Sequence, residues 1–213
     1  MFNELENEVR ELNNKIISLS NDNKEIKELY KGCQIYFSPV RKNPGIMVIG
    51  INPGAGYFRY NNQISQLFEP PLENEKSEYI EELKLLFRKM DNQDLIERAF
   101  ITNIYFFATN GDSDLRKLIT LLPENIRIEF ENKTKEWIKL FIKEIDPKII
   151  FCMGAFSWDK LKAFYKENIE IIHEKGNIFE AKIENKTIIA CSRSYNIIKN
   201  IDSVANKLKE YLK

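Results

Sequence analysis

Short, wholly apolar segments that alternate with amphipathic ones are the feature that most constrains the fold of this chain. Residues 46–49 read Ile-Met-Val-Ile, and residues 149–153 read Ile-Ile-Phe-Cys-Met. A strand without polar alternation is typical of a parallel sheet that is buried on both faces. Residues 75–90 and 155–167 instead carry apolar residues at helical spacing, as helices that cover a sheet do. The pattern predicts an α/β fold with three α/β/α layers around a mainly parallel central sheet.

The other elements are predicted from the same kind of pattern. Residues 99–107 are expected to form a second buried strand, and residues 134–145 a helix that ends before a proline. Residues 177–183 and 186–192 flank a two-residue turn, which is typical of a β-hairpin. A last helix is expected to start near Ile197 and to carry its apolar face on Ile201, Val204, Leu208 and Leu212.

Charge balance and cysteine usage restrict the classes of function. The 213 residues include 32 basic and 32 acidic ones, so a nucleic-acid partner would need a local basic patch. Cys33, Cys152 and Cys191 show no CxxC spacing, which favours a reduced, cytoplasmic protein without a metal or another cofactor. There is no charged-then-apolar leader and no apolar stretch near the roughly 20 residues that span a bilayer, so no membrane partner is expected.

Residues 1–31 are predicted to form an amphipathic helix that precedes a domain spanning residues 32–213. The apolar residues of this segment recur at spacings of three and four, at Phe2, Leu5, Val9, Leu12, Ile16 and Leu19. Two interpretations remain open. The helix either packs on its own domain or forms a coiled-coil arm that joins two copies in a homodimer.

The apolar run at 46–49 ends in the turn Gly-Ile-Asn-Pro-Gly at residues 50–54. Pro53 fixes one torsion and restricts the residue before it, so this turn should be rigid. The carboxyl ends of parallel strands share one edge, where open α/β sheets bind ligands. We therefore expect one polar crevice lined by the turns that carry Asn52, Asn103, Gly154 and residues 192–196. An Asn side chain offers a donor and an acceptor together, which suits a planar polar ligand.

The pentapeptide at 50–54 resembles the first motif of the uracil-DNA glycosylase superfamily, and in particular of its mismatch-specific branch. Residues 101–103, Ile-Thr-Asn, are similar to the strand whose Asn reads the uracil edge in several branches. Residues 148–161 are similar to the strand, glycine and helix segment of the family. The resemblance spans residues 45–198 and implies a uracil-DNA glycosylase-like α/β/α domain.

This resemblance implies hydrolysis of the N-glycosidic bond of uracil or a related damaged base in DNA, after the nucleotide is flipped out of the stack. Asn52 matches the residue that positions the attacking water, and Ser192 would donate to the departing base as a second catalytic residue. A neutral amide is a weak base, so the sugar must already be oxocarbenium-like when water attacks. The implied substrate-binding residues are Gly50, Ile51, Pro53, Gly54, Phe58, Phe68, Asn103 and Ser194, with Phe58 or Phe68 stacking on the base.

The second motif departs from the family pattern, because Ser192-Arg193-Ser194 stands where His-Pro-Ser or Asn-Pro-Ser is common. A serine hydroxyl donates to an anionic base less strongly than an imidazole. Asn196 occupies the slot of the apolar wedge that fills the hole left by the flipped base, and the neighbouring Tyr195 is the better wedge. The implied DNA-binding residues are Arg193, Tyr195, Asn196 and Lys199, of which Arg193 and Lys199 would hold a phosphate.

Two functions from different classes remain open. The first is an active glycosylase, and the second is a superfamily member that has lost this chemistry and acts as a nucleic-acid-binding or interaction module. The altered second motif and the acidic segment 69–83 favour the module, whereas the pair Asn52 and Asn103 favours the enzyme. Alternatively, the Asn52 side chain could simply stabilise its tight turn, and Asn103 could simply cap the edge of the sheet. Away from the crevice, His173 is expected at the surface, and Trp137 and Trp158 in the core.

Overall fold

The computed structural model describes residues 2–54, 78–194 and 197–212, with Ser194 described by its backbone alone. The chain divides into two compact units whose segments interleave along the sequence. The first unit comprises residues 1–35, 52–68 and 105–140, and the second comprises residues 36–51, 69–104 and 141–213. The predicted N-terminal helix therefore belongs to the first unit.

The described residues form helices and strands with the following bounds. The helices are α1 Asn3–Asp22, α2 Lys24–Leu29, α3 Glu78–Lys89, α4 Leu95–Arg98, α5 Asp112–Leu121, α6 Glu124–Ile145, α7 Ala155–Phe164 and α8 Ile201–Leu212. The strands are β1 Gly32–Cys33, β2 Ile46–Gly50, β3 Phe100–Asn103, β4 Phe107–Ala108, β5 Ile149–Met153, β6 Ile169–Lys175, β7 Ile178–Ile183, β8 Lys186–Cys191, β9 Arg193–Ser194 and β10 Ile197–Ile198.

A six-stranded sheet with the order β3-β2-β5-β8-β7-β6 forms the centre of the second unit. Strand β2 runs parallel to both β3 and β5, and β5 runs parallel to β8. Strands β7 and β6 extend the sheet in antiparallel pairings. The predicted α/β class and mainly parallel sheet are therefore confirmed. The predicted hairpin is confirmed as well, with Ile183 opposite Lys186 across the turn.

Helices cover both faces of this sheet in the second unit. On one face, Val48, Phe151 and Ile189 share a buried core with apolar residues of α3 and α8. On the other face, Trp158 of α7 stacks on Phe179 with ring centroids 5.9 Å apart. A fully buried large apolar side chain contributes about 1.5–3 kcal/mol. The two cores therefore stabilise the strands whose ends form the candidate site.

Helix α1 buries its apolar face within the first unit. Its residues Leu5, Val9, Leu12 and Ile16 are at most 1% exposed. The carboxylate of Glu8 accepts hydrogen bonds from Lys133 Nζ at 2.6 Å and from Trp137 Nε1 at 2.8 Å, both on α6. The packing of this helix on its own chain is therefore confirmed. The same packing covers the apolar face that a coiled-coil dimer would need.

Asn23 separates α1 from α2 and caps the second helix. Its side-chain oxygen accepts hydrogen bonds from the backbone nitrogens of Glu25 at 3.0 Å and Ile26 at 3.2 Å. We expect Asn23→Ala to lower the free energy of unfolding by about 1 kcal/mol, as the loss of such a cap does. Chemical denaturation followed by circular dichroism measures this change. Asn23→Asp retains the acceptor and should lie near the wild type, and an equal loss in both variants would contradict the capping role.

Several predicted boundaries were wrong, and each has a local cause. Residues 112–121 form helix α5, although the polar residues around Gly111 indicate only a turn. Helix α6 begins at Glu124 and not at residue 134, since apolar and charged residues alternate along 126–130 and mask the helical period. The strand predicted over 99–107 is divided, because β3 ends at Asn103 and β4 pairs with β1.

The last helix starts at Ile201, later than predicted, because Ile197–Ile198 pairs with Arg193–Ser194 as a short hairpin. His173 is exposed on the edge strand β6, a strand that was not predicted from the sequence. Trp137 and Trp158 are 2% and 1% exposed. These positions confirm the expected surface histidine and core tryptophans. Among the described residues, no helix combines the length and the apolar character that a membrane crossing requires.

Candidate functional site

The carboxyl ends of four strands lie at one edge of the sheet in the second unit, as their parallel pairing requires. Strands β2, β3, β5 and β8 end at Gly50, Asn103, Met153 and Cys191. Gly50 is the direct register partner of Asn103. The expected convergence is thus confirmed for the strand ends that carry Asn103, Gly154 and Ser192. Asn52 belongs to the first unit, and its place in the same crevice stays a prediction.

Gly50 is required by the close approach of the Asn103 side chain. A Cβ atom built on Gly50 would lie 2.3 Å from Asn103 Oδ1, which is a severe overlap. Asn103 is 4% exposed, and the structure records no hydrogen bond between its side-chain amide and another described residue. The arrangement places the Asn103 amide, which carries both a donor and an acceptor, at the edge of the sheet.

Tyr79, on α3, adds a second polar group at this position. Its hydroxyl oxygen would lie 3.3 Å from the same Cβ atom on Gly50. The oxygen is buried and has no hydrogen-bond partner among the described residues. Burial raises the pKa of the Tyr79 hydroxyl well above its ordinary value of 10.0, so the group stays protonated and can donate. The guanidinium of Arg193 lies 5.6 Å from the centre of the Tyr79 ring, an attractive cation–π geometry.

An ion pair between Glu82 and Arg193 completes the cluster. Arg193 Nη2 lies 2.5 Å from Glu82 Oε2, and their side chains are 18% and 7% exposed. The other carboxylate oxygen of Glu82 accepts a hydrogen bond from the backbone nitrogen of Ile198. Burial raises the pKa of Glu82, and the charge of Arg193 opposes that shift without cancelling it. The carboxylate therefore ties α3 to both strands of the β9–β10 hairpin.

This ion pair bears on two expectations from the sequence. Arg193 was predicted to hold a DNA phosphate, yet its charge is compensated by a buried carboxylate. The acidic segment 69–83 was expected to repel phosphate at the mouth of the crevice. Its residues 69–77 lie outside the described residues, Glu78 and Glu81 are exposed, and Glu82 is buried beneath the hairpin. A phosphate would have to compete with Glu82 for the guanidinium. Lys199 is exposed at the end of β10 and is the more accessible of the two predicted phosphate ligands.

Asn52 is anchored within the first unit by its amide nitrogen. The nitrogen donates to Thr109 Oγ1 at 2.9 Å, to the Pro53 carbonyl at 3.1 Å and to the Phe107 carbonyl at 3.4 Å. The Thr109 backbone nitrogen donates to the Pro53 carbonyl at 3.3 Å. Gly54 and Thr109 form an isolated parallel β-bridge. These contacts connect the turn to β4 and to the residue that follows it. The side-chain contacts use the amide nitrogen, and no hydrogen bond to the amide oxygen is found within the described part of the chain.

The other predicted site residues are placed as follows. Ile51 is half-buried, Pro53 is buried, and Gly54 is exposed. Ser192 is half-buried, and its backbone donates to the Asn177 carbonyl and accepts from the Lys199 nitrogen. Phe58, Phe68, Tyr195, Asn196 and the side chain of Ser194 lie outside the described residues.

The residues that the structure describes contain no cluster of three or more His, Cys, Asp or Glu side chains able to hold a metal ion. Cys33, Cys152 and Cys191 are buried, and none of them forms a disulfide. Burial raises the pKa of each thiol above its ordinary value of 9.0. The thiols are therefore protonated at neutral pH and are poor nucleophiles or metal ligands.

Tyr79 and Glu82 are the members of the site that sequence reasoning missed. Both lie on the helix predicted over 75–90, and both fall within the acidic segment 69–83. The spacing of three residues does place them on the same side of the helix. That spacing was the available signal, although it does not indicate which helix face meets the end of the sheet.

Comparisons with known proteins leave the family of this chain open. No model of a protein family matches the chain, and a search of curated proteins also finds no match.

Proposed function

We propose that this chain is a DNA glycosylase-like hydrolase that releases uracil or a related damaged base from DNA. The buried amide of Asn103 is the observation that carries the proposal. It stands at the carboxyl edge of a mainly parallel sheet, where such sheets bind ligands. A pyrimidine with adjacent carbonyl and N–H groups is complementary to this side chain, because it can accept from and donate to one amide.

The glycine opposite Asn103 supports this assignment. Any side chain at position 50 would displace the amide, since even a Cβ atom would lie 2.3 Å from Oδ1. Gly50 is also the first residue of the pentapeptide 50–54 that resembles the glycosylase motif. The steric requirement and the resemblance thus involve the same glycine.

The proposed chemistry requires no metal ion. The glycosidic bond breaks as the electron pair leaves with the base, and water adds to the oxocarbenium-like sugar carbon. Asn52 is proposed to orient that water through its amide oxygen. Ser192 and backbone N–H groups of the 51–54 turn would donate to the base as its negative charge develops. The water loses one proton as it adds and the departing base anion gains one, so the products are the neutral free base and an abasic site.

DNA contacts in this proposal are local, in keeping with the zero net charge of the chain. Exposed Lys199 is proposed to contact a phosphate. Ile197 is 67% exposed on the β9–β10 hairpin, next to the slot that the resemblance assigns to the wedge, and is proposed to contact the unstacked bases. The three buried thiols fit a reducing compartment, and we propose that the protein acts in the cytoplasm.

One observation favours the alternative of a binding module without glycosidic chemistry. Glu82 already compensates the charge of Arg193 at 2.5 Å, which weakens the electrostatic attraction for a DNA backbone near the site. A module that binds a base or nucleoside through Asn103 would need no such attraction. The two functions differ in whether base release occurs.

The proposal is tested by alkaline strand cleavage of labelled single- and double-stranded DNA that carries one uracil. We expect the wild type to produce alkali-labile sites, and Asn103→Ala to lower kcat/KM by about 30-fold, since it removes two hydrogen bonds worth about 1 kcal/mol each. Absence of cleavage by folded wild type, with uracil and with other damaged bases, would refute the hydrolase and leave the binding module.

A further inference from the structure

We propose that Tyr79 is a specificity-determining residue whose hydroxyl donates a hydrogen bond to a carbonyl oxygen of the bound base. This inference rests on the proposed function, which places a base beside Asn103. It goes further because it assigns the recognition of a carbonyl oxygen of that base to helix α3, which neither the motif at 50–54 nor the strand pattern indicates.

The first argument is the unsatisfied hydroxyl of Tyr79. Its oxygen is buried and has no hydrogen-bond partner in the described part of the chain. Phenylalanine at this position would fill nearly the same volume without that cost, which is about 1–3 kcal/mol for a buried polar group. An unpartnered buried group of this kind needs an explanation. A ligand oxygen that accepts a hydrogen bond from the Tyr79 hydroxyl supplies this explanation. The same ligand could also bind the neighbouring Asn103 amide.

The second argument is position. The Tyr79 hydroxyl and Asn103 Oδ1 lie 3.3 Å and 2.3 Å from one point, the place of a Cβ atom on Gly50. Two buried polar groups without mutual hydrogen bonding thus flank the same glycine. Ile80 and Leu83 on the same helix are fully buried in the core, so α3 cannot easily move the hydroxyl away. The Arg193 guanidinium lies over the ring at 5.6 Å from its centre and is itself held by Glu82, which restricts the ring further.

The third argument is chemical complementarity. Uracil presents two carbonyl oxygens on either side of an N–H group. The Asn103 amide can donate to one carbonyl and accept from the N–H. A protonated tyrosine hydroxyl supplies the donor for the remaining carbonyl. Sites that hydrogen-bond a ligand group reject analogues that lack it, because the protein group is then left unpaired.

The test measures the binding of free uracil, 2-pyrimidinone and 4-pyrimidinone to wild type and Tyr79→Phe by calorimetry. Each pyrimidinone lacks one of the two carbonyl oxygens. We expect Tyr79→Phe to weaken uracil binding by about 10-fold, the value of one hydrogen bond to a buried group. Binding of one of the two pyrimidinones should change by less than about 2-fold, because that analogue already lacks the hydrogen bond. The melting temperature of the variant should equal or exceed that of the wild type.

Each outcome of this experiment is decisive. Equal weakening for all three ligands, or a lowered melting temperature with unchanged affinities, would assign Tyr79 a structural role and overturn the inference. Failure of the wild type to bind uracil would overturn it too. The cleavage assay separates the two proposals. Base release that is insensitive to Tyr79→Phe would leave the hydrolase intact without this residue, whereas Tyr79-dependent uracil binding without base release would retain the recognition role and remove the hydrolase.

Discussion

Asn52→Ala is expected to lower the rate of base release from uracil-containing DNA by at least about 100-fold. A nucleophile that is no longer held in the reactive geometry reacts more slowly by about that factor. The amide nitrogen of Asn52 is already committed to Thr109 Oγ1 and two carbonyls. These bonds fix the plane of the amide and thereby the direction of its oxygen. The alanine variant removes the oxygen, so the proposed water loses its acceptor. Single-turnover cleavage assays measure the rate of the chemical step directly.

Thr109→Val is the matched control for this experiment. It removes the 2.9 Å hydrogen bond from Asn52 to Thr109 Oγ1 but retains the amide oxygen. It also removes the bond from Thr109 Oγ1 to the Gly111 carbonyl at 2.7 Å, so it perturbs the same turn without removing the proposed water acceptor. Under the catalytic interpretation, base release falls far more in Asn52→Ala than in Thr109→Val. If activity instead follows melting temperature in both variants, Asn52 serves only its turn.

The strands around the candidate site could be predicted because their local signals and their burial agree. Residues 46–50 and 149–153 are apolar throughout, and the structure buries every residue of both strands. Edge strand β6 offers no such signal. Its residues are mostly exposed, so its Ile171 and Ile172 do not indicate a buried face. A sequence pattern reports burial, and an exposed antiparallel strand is stabilised mainly by pairing with its neighbour.

The candidate site was predictable only in part, because its polar contacts join distant parts of the chain. Asn103 could be predicted from the polar end of a buried strand. Glu82 could not, since its hydrogen bond to Ile198 joins residues 116 positions apart. The same acidic segment that indicates a solvated surface supplies one carboxylate to the interior. Whether a charged residue is solvated or buried depends on its partner, and here that partner is Arg193.

Arg193→Met is expected to lower the free energy of unfolding by about 3–5 kcal/mol at pH 8, the cost of removing one partner of a buried ion pair. Methionine retains the apolar stem of the side chain. Among the described residues, it leaves the Glu82 carboxylate, whose side chain is 7% exposed, with the Ile198 nitrogen as its remaining hydrogen-bond donor. Chemical denaturation of both proteins at a series of pH values measures the difference.

The pH dependence of this difference follows from Glu82. Burial already raises the pKa of this carboxyl above its ordinary value of 4.5, and Arg193 opposes the shift. Removing Arg193 raises the folded-state pKa further. A carboxyl whose folded pKa is raised destabilises the fold when it is ionised. Stability is therefore greatest below the unfolded pKa and is lost as pH rises through the folded pKa. The deficit of Arg193→Met should consequently shrink as pH falls from 8 toward 4.5.

The double variant Glu82→Gln/Arg193→Met isolates the buried charge. A neutral glutamine can still accept the hydrogen bond from the Ile198 nitrogen and does not titrate. We expect the double variant to recover most of the stability lost by Arg193→Met at pH 8 and to show a smaller change with pH, since replacing both partners of a buried pair is often neutral. A deficit that is the same at every pH, or that the second substitution deepens, would show that lost packing of the arginine side chain, and not an uncompensated Glu82, dominates the effect.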